Sequence, residues 1–415
     1  MRLASPRLPV SAIALGLAVL AGALLGGCGK GGAPVQTSSG GPQRTLAPIT
    51  PEGAVSVATR NTTRVGGADV ASDAAGVART AYPGLTTATR PQTVVLVDEH
   101  NWPAALAASS LASAPLSAPL LYAEGDSLPE VTSKTLHTLA PFGANALGGA
   151  QVIRIGTAAA VPPGILLHSL PTATPAVMAQ TIERLLVSAN GGKAPHQAIV
   201  VSASAPRALT MPAAGLSAES GAPILFVTPG RVPAATAHVL ASMHRPSIYV
   251  IDPAAVSRTA LDELGHYGAV TQIAPSSSEG TGVAANAVAV ARFTNGTFGW
   301  GVKEPGHGLV FANAARPLDA PAAAMLSATG DYGPLLLLEA PTQIPSALSG
   351  YLGDIQPGYS ATSPPVKGIY NHGWLIGDER AISAATQAEL DSVLEITESS
   401  GPQESSEEPT VSPAE

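Results

Sequence analysis

The sequence predicts an α/β protein made of three tandem repeats, each a small parallel sheet flanked by helices. Two observations predict it. First, one segment is written three times: "VVLVDEHNWPAALAASSLASAPLSAPLLYAEGDSLP" from Val94, "AIVVSASAPRALTMPAAGLSAESGAPILFVTPGRVP" from Ala198 and "GLVFANAARPLDAPAAAMLSATGDYGPLLLLEAPTQIP" from Gly308. Self-similarity at about a hundred residues marks repeated structural units. Second, the strands are short unbroken apolar runs, as in a sheet covered on both faces, and they alternate with helical segments. That alternation is the signature of parallel βαβ connections.

The elements follow in chain order. Arg2 and Arg7 precede an uncharged apolar run from Val10 to Leu25, and Leu25-Gly26-Gly27-Cys28 closes it. This is the layout of a secretory signal, residues 1–27, whose ending resembles a bacterial lipobox. The run is shorter than the roughly 20 residues that span a bilayer. Cys28 is the only cysteine, so it reads as a lipidation site holding the chain to the membrane by acyl chains, not as a nucleophile or disulfide partner. Residues 28–52, rich in Gly, Pro, Ser and Thr, form a flexible tether. Within the body, helices are predicted over "DVASDAAGVARTAY", "PAVMAQTIERLLVSA" and "GVAANAVAVARF", one ahead of each copy. Each copy then supplies a strand, a helix, a proline-led strand opening at Pro119, Pro223 or Pro334, a helix after Pro129, Pro233 or Pro345, and a last strand. The end, 397–415, carries Glu398, Glu404, Glu407, Glu408 and Glu415 with no basic residue, and reads as a disordered acidic tail.

The net charge of −8 argues against nucleic acid as a partner, since phosphate backbones demand concentrated Lys and Arg. No phosphate-binding loop, dinucleotide fingerprint, zinc-protease helix, calcium loop or nucleophile elbow is found. The nine histidines show no metal-ligand spacing, so neither metal nor cofactor is expected. One stretch looks catalytic: Asp98, Glu99 and His100 at a strand end. In the other copies Ser202-Ala203-Ser204 and Asn313-Ala314-Ala315 stand there, so the fold does not need those charges. The nearby loops add Glu124 and Asp126 but no nucleophile and no second histidine. The expectation is a solvated loop and no catalytic residue.

At this point the residues carry a family resemblance. Arg64-Val65-Gly66-Gly67-Ala68-Asp69, Asn101-Trp102-Pro103 with Ala105-Leu106, and the strands Pro119-Leu120-Leu121, Pro223-Ile224-Leu225 and Pro334-Leu335-Leu336 resemble the cell wall-binding repeat 2 family of Gram-positive bacteria. The resemblance covers 53 to 396, with repeats at 53–165, 166–281 and 282–396. It implies three α/β repeats about a pseudo-three-fold axis in a non-catalytic module that attaches to anionic cell-wall polymers. The sequence departs from the family at Val70, Ala104 and Arg207, where an arginine and two acids are usual, and only Asp319 of the third copy lies near that acid. Arg207 and Arg316, read as comparable positions, could pair with an anionic polymer, and Trp102 could stack on a sugar ring. The proline-led strands are associated with polymer binding, although their Leu and Ile also need burial. The functional expectation is a lipid-anchored extracytoplasmic protein that faces the wall and binds or organises cell-wall polysaccharide. The alternatives are a lipoprotein that captures a small solute in a cleft between repeats and, third, an enzyme on envelope sugars.

Overall fold

The structure, a computed structural model, describes residues 57–328, 332–359 and 370–398. The expected signal segment, Cys28, the expected tether and residues 399–415 of the expected tail lie outside the described residues. Before the first repeated segment come β1 (Val57–Ala58), β2 (Thr62–Val65) and α1 (Val70–Ala81). The first copy supplies β3 (Val94–Asp98), α2 (Trp102–Ala108), β4 (Leu120–Ala123), α3 (Glu130–Leu139), β5 (Val152–Ile155) and β6 (Leu167–Leu170). After α4 (Pro175–Ala189) the second supplies β7 (Gln197–Ser202), α5 (Arg207–Thr210), α6 (Pro212–Ser220), β8 (Ile224–Val227), α7 (Ala234–Ser242), β9 (Ser247–Ile251), α8 (Arg258–Tyr267) and β10 (Ala269–Ile273). After α9 (Val283–Arg292) the third supplies β11 (Gly308–Asn313), α10 (Asp319–Ala328), β12 (Leu335–Leu338), α11 (Ser346–Asp354), β13 (Gly358–Tyr359), β14 (His372–Ile376), α12 (Ala384–Val393) and β15 (Thr397–Glu398).

Among the described residues, the three larger sheets share one strand order. They run β4-β3-β5-β6, β8-β7-β9-β10 and β12-β11-β14-β2, the last extended by the antiparallel strand β1. Every other pairing in them is parallel. The fold is therefore α/β, with three parallel sheets flanked by helices. Leu120-Leu121, Ile224-Leu225 and Leu335-Leu336 are buried as the apolar pattern requires. The prolines ahead of them are buried too, and each performs one backbone task. Pro119, Pro223 and Pro334 accept from the N–H of Val95, Ile199 and Val310 at 2.9, 3.0 and 3.1 Å. Proline has no N–H to lose at a strand's first position, while its carbonyl still joins the ladder. Pro129, Pro233 and Pro345 likewise sit at the caps of α3, α7 and α11 and accept from Ser133, Ala237 and Ser349, each at 2.9 Å.

Each sheet has a fourth strand that the repeat pattern does not reveal, and its place in the chain is unexpected. β6 lies beyond residue 165 in sequence but pairs with β5, while the helix after it, α4, packs on β8 of the second sheet. β10 pairs with β9, and the following α9 packs on β12 of the third sheet. The third sheet takes its fourth strand from the start of the described chain: Thr62–Val65 pairs with Gly373–Ile376, and α1 packs on β4 of the first sheet. Each unit thus lends a strand to one sheet and a helix to the next, and the cycle closes through β2. Thr397–Glu398, at the start of the expected disordered tail, pairs with Gly358–Tyr359 as a short parallel ladder.

The equivalent helices α2, with the 3-10 turn Ser109–Ala112 after it, α6 and α10 meet one another, the arrangement of a pseudo-three-fold axis. Small side chains permit the approach. Ala213, Ala214 and Ala218 face Ala320, Ala322, Ala323 and Ala324 in one continuous buried core, and a Cβ on Gly215 would lie 2.7 Å from Ser327 Oγ. An aromatic content of only 4% fits a core in which helix backbones come this close.

Candidate functional site

In parallel sheets of this kind, ligands usually sit beyond the carboxyl ends of the strands. Backbone pairing sets the three repeated loops in register there. The N–H groups of Glu99, Ala203 and Ala314 donate to the carbonyls of Ala123, Val227 and Leu338 at 2.9, 2.8 and 2.8 Å. Asp98, Ser202 and Asn313 are therefore equivalent, and each caps its own turn. Asp98 Oδ1 accepts from His100 N–H and Gly125 N–H, both at 3.1 Å, Asn313 Oδ1 accepts from Ala315 N–H at 2.8 Å, and Ser202 Oγ lies 3.2 Å from Ser204 Oγ. The polar strand end is a turn device whose chemistry varies. His100 Nδ1 is 3.0 Å from the same Asp98 oxygen, and that hydrogen bond raises the imidazole's pKa above its ordinary value. Burial raises Glu99. Asp126 Oδ1 accepts from Ala158 N–H at 2.7 Å.

A second cluster lies at the corresponding end of the third sheet, and spacing alone does not reveal it. Arg316 follows β11, and its Nε donates to Asp319 Oδ2 at 2.9 Å while its Nη2 donates to Asp73 of α1. Both carboxylates are buried, and Oδ1 of Asp319 has no hydrogen-bond partner among the described residues. Desolvation, followed by the charge of Asp319, pushes Asp73 up to about 8, against the pull of Arg316 and of the Gly67 N–H it accepts at 2.7 Å. Burial raises Asp319 as well. For Arg316, burial works toward a lower pKa, but the two acids outweigh it and the net shift is upward. Two acids share one cation, so the cluster favours holding a proton.

The Arg64–Asp69 segment has a structural explanation. Arg64, 6% exposed, spends its donors on the loop after β14: Gly377 O at 3.0 Å, Asp378 O at 2.8 Å and Ile382 O at 2.6 Å, with Gln387 Oε1 at 3.0 Å. It pins β2 into the third sheet. Gly66 has φ +115°, and a Cβ there would overlap Asp73 Oδ1. Asp69 caps α1 through Ser72 N–H at 2.8 Å.

The residues expected to meet a polymer are placed as follows. Trp102 begins α2 and is 6% exposed, so the ring face that would stack on a sugar is covered by the core. Pro119, Leu120, Leu121, Pro223, Ile224, Leu225, Pro334, Leu335 and Leu336 are likewise enclosed in the sheets, and they can reach a ligand only through their backbone or by shaping the loops beyond. Arg207 is exposed at the start of α5. Arg316 is engaged by its two acids. The two arginines are not counterparts: Ala205 N–H donates to Ser202 O as Arg316 N–H donates to Asn313 O, which sets Ala205 opposite Arg316.

Among the described residues no helix is long and apolar enough to cross a membrane, and no group of three or more His, Cys, Asp or Glu could hold a metal ion. Neither a search of protein-family models nor one of curated proteins finds a match. Solved structures do match. Cwp6 from Clostridium difficile superposes with a TM-score of 0.60 at 18% identity, covering 82% of this chain and 51% of that one. Cwp8 from Clostridium difficile superposes with a TM-score of 0.58 at 17% identity, covering 81% and 53%. The chain spans about half the length of each. At such identity the likeness is one of fold, and that fold is three parallel sheets joined in a ring.

Proposed function

We propose that the protein is a lipid-anchored, cell wall-associated surface protein that binds anionic envelope glycopolymers without transforming them. The observation that carries this reading is the fold shared with Cwp6 and Cwp8 over four-fifths of the chain, which agrees with the repeats' resemblance to wall-binding modules. The strand-end loops support a binding role over a catalytic one. Their polar residues cap turns, and the most perturbed acids are buried and paired with Arg316. Cys28 at the end of the apolar leader supplies the membrane attachment, and its acyl chains would hold the repeats facing the wall.

The test is a pulldown on purified wall polysaccharide with the folded body. Retention that weakens as salt rises supports the reading, because charge-paired contacts are screened. Indifference to wall material, combined with a large thermal shift from one small metabolite, would favour solute capture instead. Loss of a turnover activity in His100→Ala would favour an enzyme. For the anchor, Cys28→Ser should move the protein from the membrane fraction to the medium and abolish labelling by a radiolabelled fatty acid.

A further inference from the structure

Three adjacent strands of the second sheet start level with one another: Gln197 of β7 pairs with Ser247 of β9, and Ser247 with Ala269 of β10. Neighbouring strands lie about 4.8 Å apart, so the segments leading into them meet along one edge. Backbone bonds tie them together, Ser247 N–H to His196 O at 2.9 Å and Ala269 N–H to Pro246 O at 3.1 Å. The segments read "NGGKAPH", "MHRP" and "HYG". They bring Lys193, His196, His244, Arg245 and His266 to the amino end of this sheet, all exposed, with no Asp or Glu among them. None of the five side chains has an ion pair or hydrogen bond among the described residues. His244 and Arg245 also stand in left-handed backbone, at φ +55° and +63°. Glycine would adopt that conformation without steric cost, yet two side chains that can carry positive charge occupy it.

The surroundings leave this charge uncompensated. Asp262 of α8 holds Arg258 at 2.9 Å, and Glu263 accepts from Val232 N–H at 2.9 Å, toward the other end of the sheet. Burial raises Glu183 of α4 and Glu219 near the end of α6, and neither forms an ion pair among the described residues. The other titratable groups on the packed elements, Arg184, His238, Tyr249 and Tyr267, include no carboxylate. Gln197 Nε2 donates to Thr297 O at 3.3 Å, which joins the edge to a loop, 293–301, without a charge. The other two sheets lack such an edge. In the first the corresponding segments carry one cation, Arg90, whose Nε donates to Ala140 O. In the third Arg60 is held by Glu395 at 2.9 Å. The carboxyl end of the first sheet is hostile to an anion, since Asp98, Glu99, Glu124 and Asp126 stand there. No large exposed hydrophobic lies on the basic edge, so it suits a soluble polyanion rather than a lipid surface.

Resting on the proposed binding role, we infer that the amino end of the second sheet is the anion-binding site: Lys193 and Arg245 take phosphodiester or carboxylate groups of an anionic glycopolymer, and His196, His244 and His266 add positive charge as pH falls. Histidine is the side chain that gains charge between pH 8 and 5.

The test measures binding of the full-length protein, in a non-ionic detergent, to poly(glycerol phosphate) and, separately, to polygalacturonate at low salt. The two probes distinguish phosphodiester from uronate as the bound group. Lys193→Gln with Arg245→Gln should weaken binding by about tenfold or more and flatten its salt dependence, and Lys193→Arg with Arg245→Lys should retain it. A charge-matched pair of exposed arginines at the carboxyl end of the same sheet, Arg207→Gln with Arg231→Gln, should leave binding within about twofold. The parent should bind several-fold more tightly at pH 5.5 than at pH 7.5, and His196→Gln with His244→Asn and His266→Gln should remove that gain. These cations also lie where α4, α7 and α8 end, and a helix-end role alone would lower the thermal midpoint while leaving the affinity of the folded variant unchanged. That result, equal loss in the Arg207/Arg231 pair, or a pH gain that survives in the histidine variant overturns the site. If the parent binds neither probe, the site is overturned, whereas retention of that same parent on wall polysaccharide would leave the broader binding role standing.

Discussion

The carboxyl ends of the first and third sheets carry similar side chains in opposite circumstances. After β3, Asp98, Glu99 and His100 form a loop in which His100 is 68% exposed and meets Asp98 at 3.0 Å. After β11, Arg316 is clamped between Asp73 and Asp319, whose side chains are 0% and 1% exposed. The difference teaches that a group's chemistry is set by what packs over it. The first loop faces water, so its residues could drift to Ser and Ala in the other units. The second is covered by α1, which arrives from the far end of the chain. There the charges cannot be solvated and must satisfy one another.

Removing Arg316 should therefore be the most damaging single change. Arg316→Ala leaves two buried acids, which share a proton, without their cation, an expected loss of about 3–5 kcal/mol, read as a drop in the denaturant midpoint. A loss below about 1 kcal/mol, the range of exposed pairs, would show the cluster to be effectively solvated and erase the contrast. Next comes Arg64→Ala, which strips donors from the carbonyls of Gly377, Asp378 and Ile382. The expected cost is about 2–4 kcal/mol, with amide exchange accelerating first in β2 and β14. The cluster also predicts a sign in pH. Asp73 lies above its ordinary 3.8 in the folded state, at about 8. The folded state then binds its proton more tightly than the unfolded chain, so this contribution is complete below pH 3.8 and is lost as pH rises through 8. Asp73→Asn keeps an acceptor for Gly67 and removes the titration. The stability of the parent relative to this variant should fall steadily across that window; a flat difference would mean that the carboxyl is ionised throughout.

Much of the fold was legible because it rests on local signals. The apolar runs gave β3, β4, β7, β8, β11 and β12, and helical periodicity located α4 at 175–189. The proline positions, read as strand and helix openings, hold those places in all three copies. The fourth strands were hidden for a physical reason. Leu167–Leu170 and Ala269–Ile273 lie at sheet edges with most of their residues partly or fully exposed, so they carry polar residues and no apolar run. Their membership depends on which neighbour they pair with. Thr62–Val65 is harder still, because its partner lies more than 300 residues away. The same distance hid the site: Asp73 and Arg316 are 243 residues apart, and no spacing rule joins them. Trp102 was ambiguous in kind, since a tryptophan at a helix start serves a core or a sugar equally well until burial decides.

The smallest effect belongs to the exposed loop, and it sharpens the comparison from the other side. The Asp98 carboxylate raises the pKa of His100, so Asp98→Asn should return the imidazole toward its ordinary value in an NMR titration of the ring protons. With the folded value raised, the pair stabilises the fold below the unfolded pKa and stops doing so as pH rises through the folded one. Because the imidazole stands in water, solvent screens most of that attraction. His100→Ala should then leave the thermal midpoint indistinguishable from the parent at pH 7 while Arg316→Ala lowers it clearly. A shift in His100→Ala of comparable size would mean that the loop is packed against something the fold depends on, and the division between a drifting exposed end and a fixed buried one would fail.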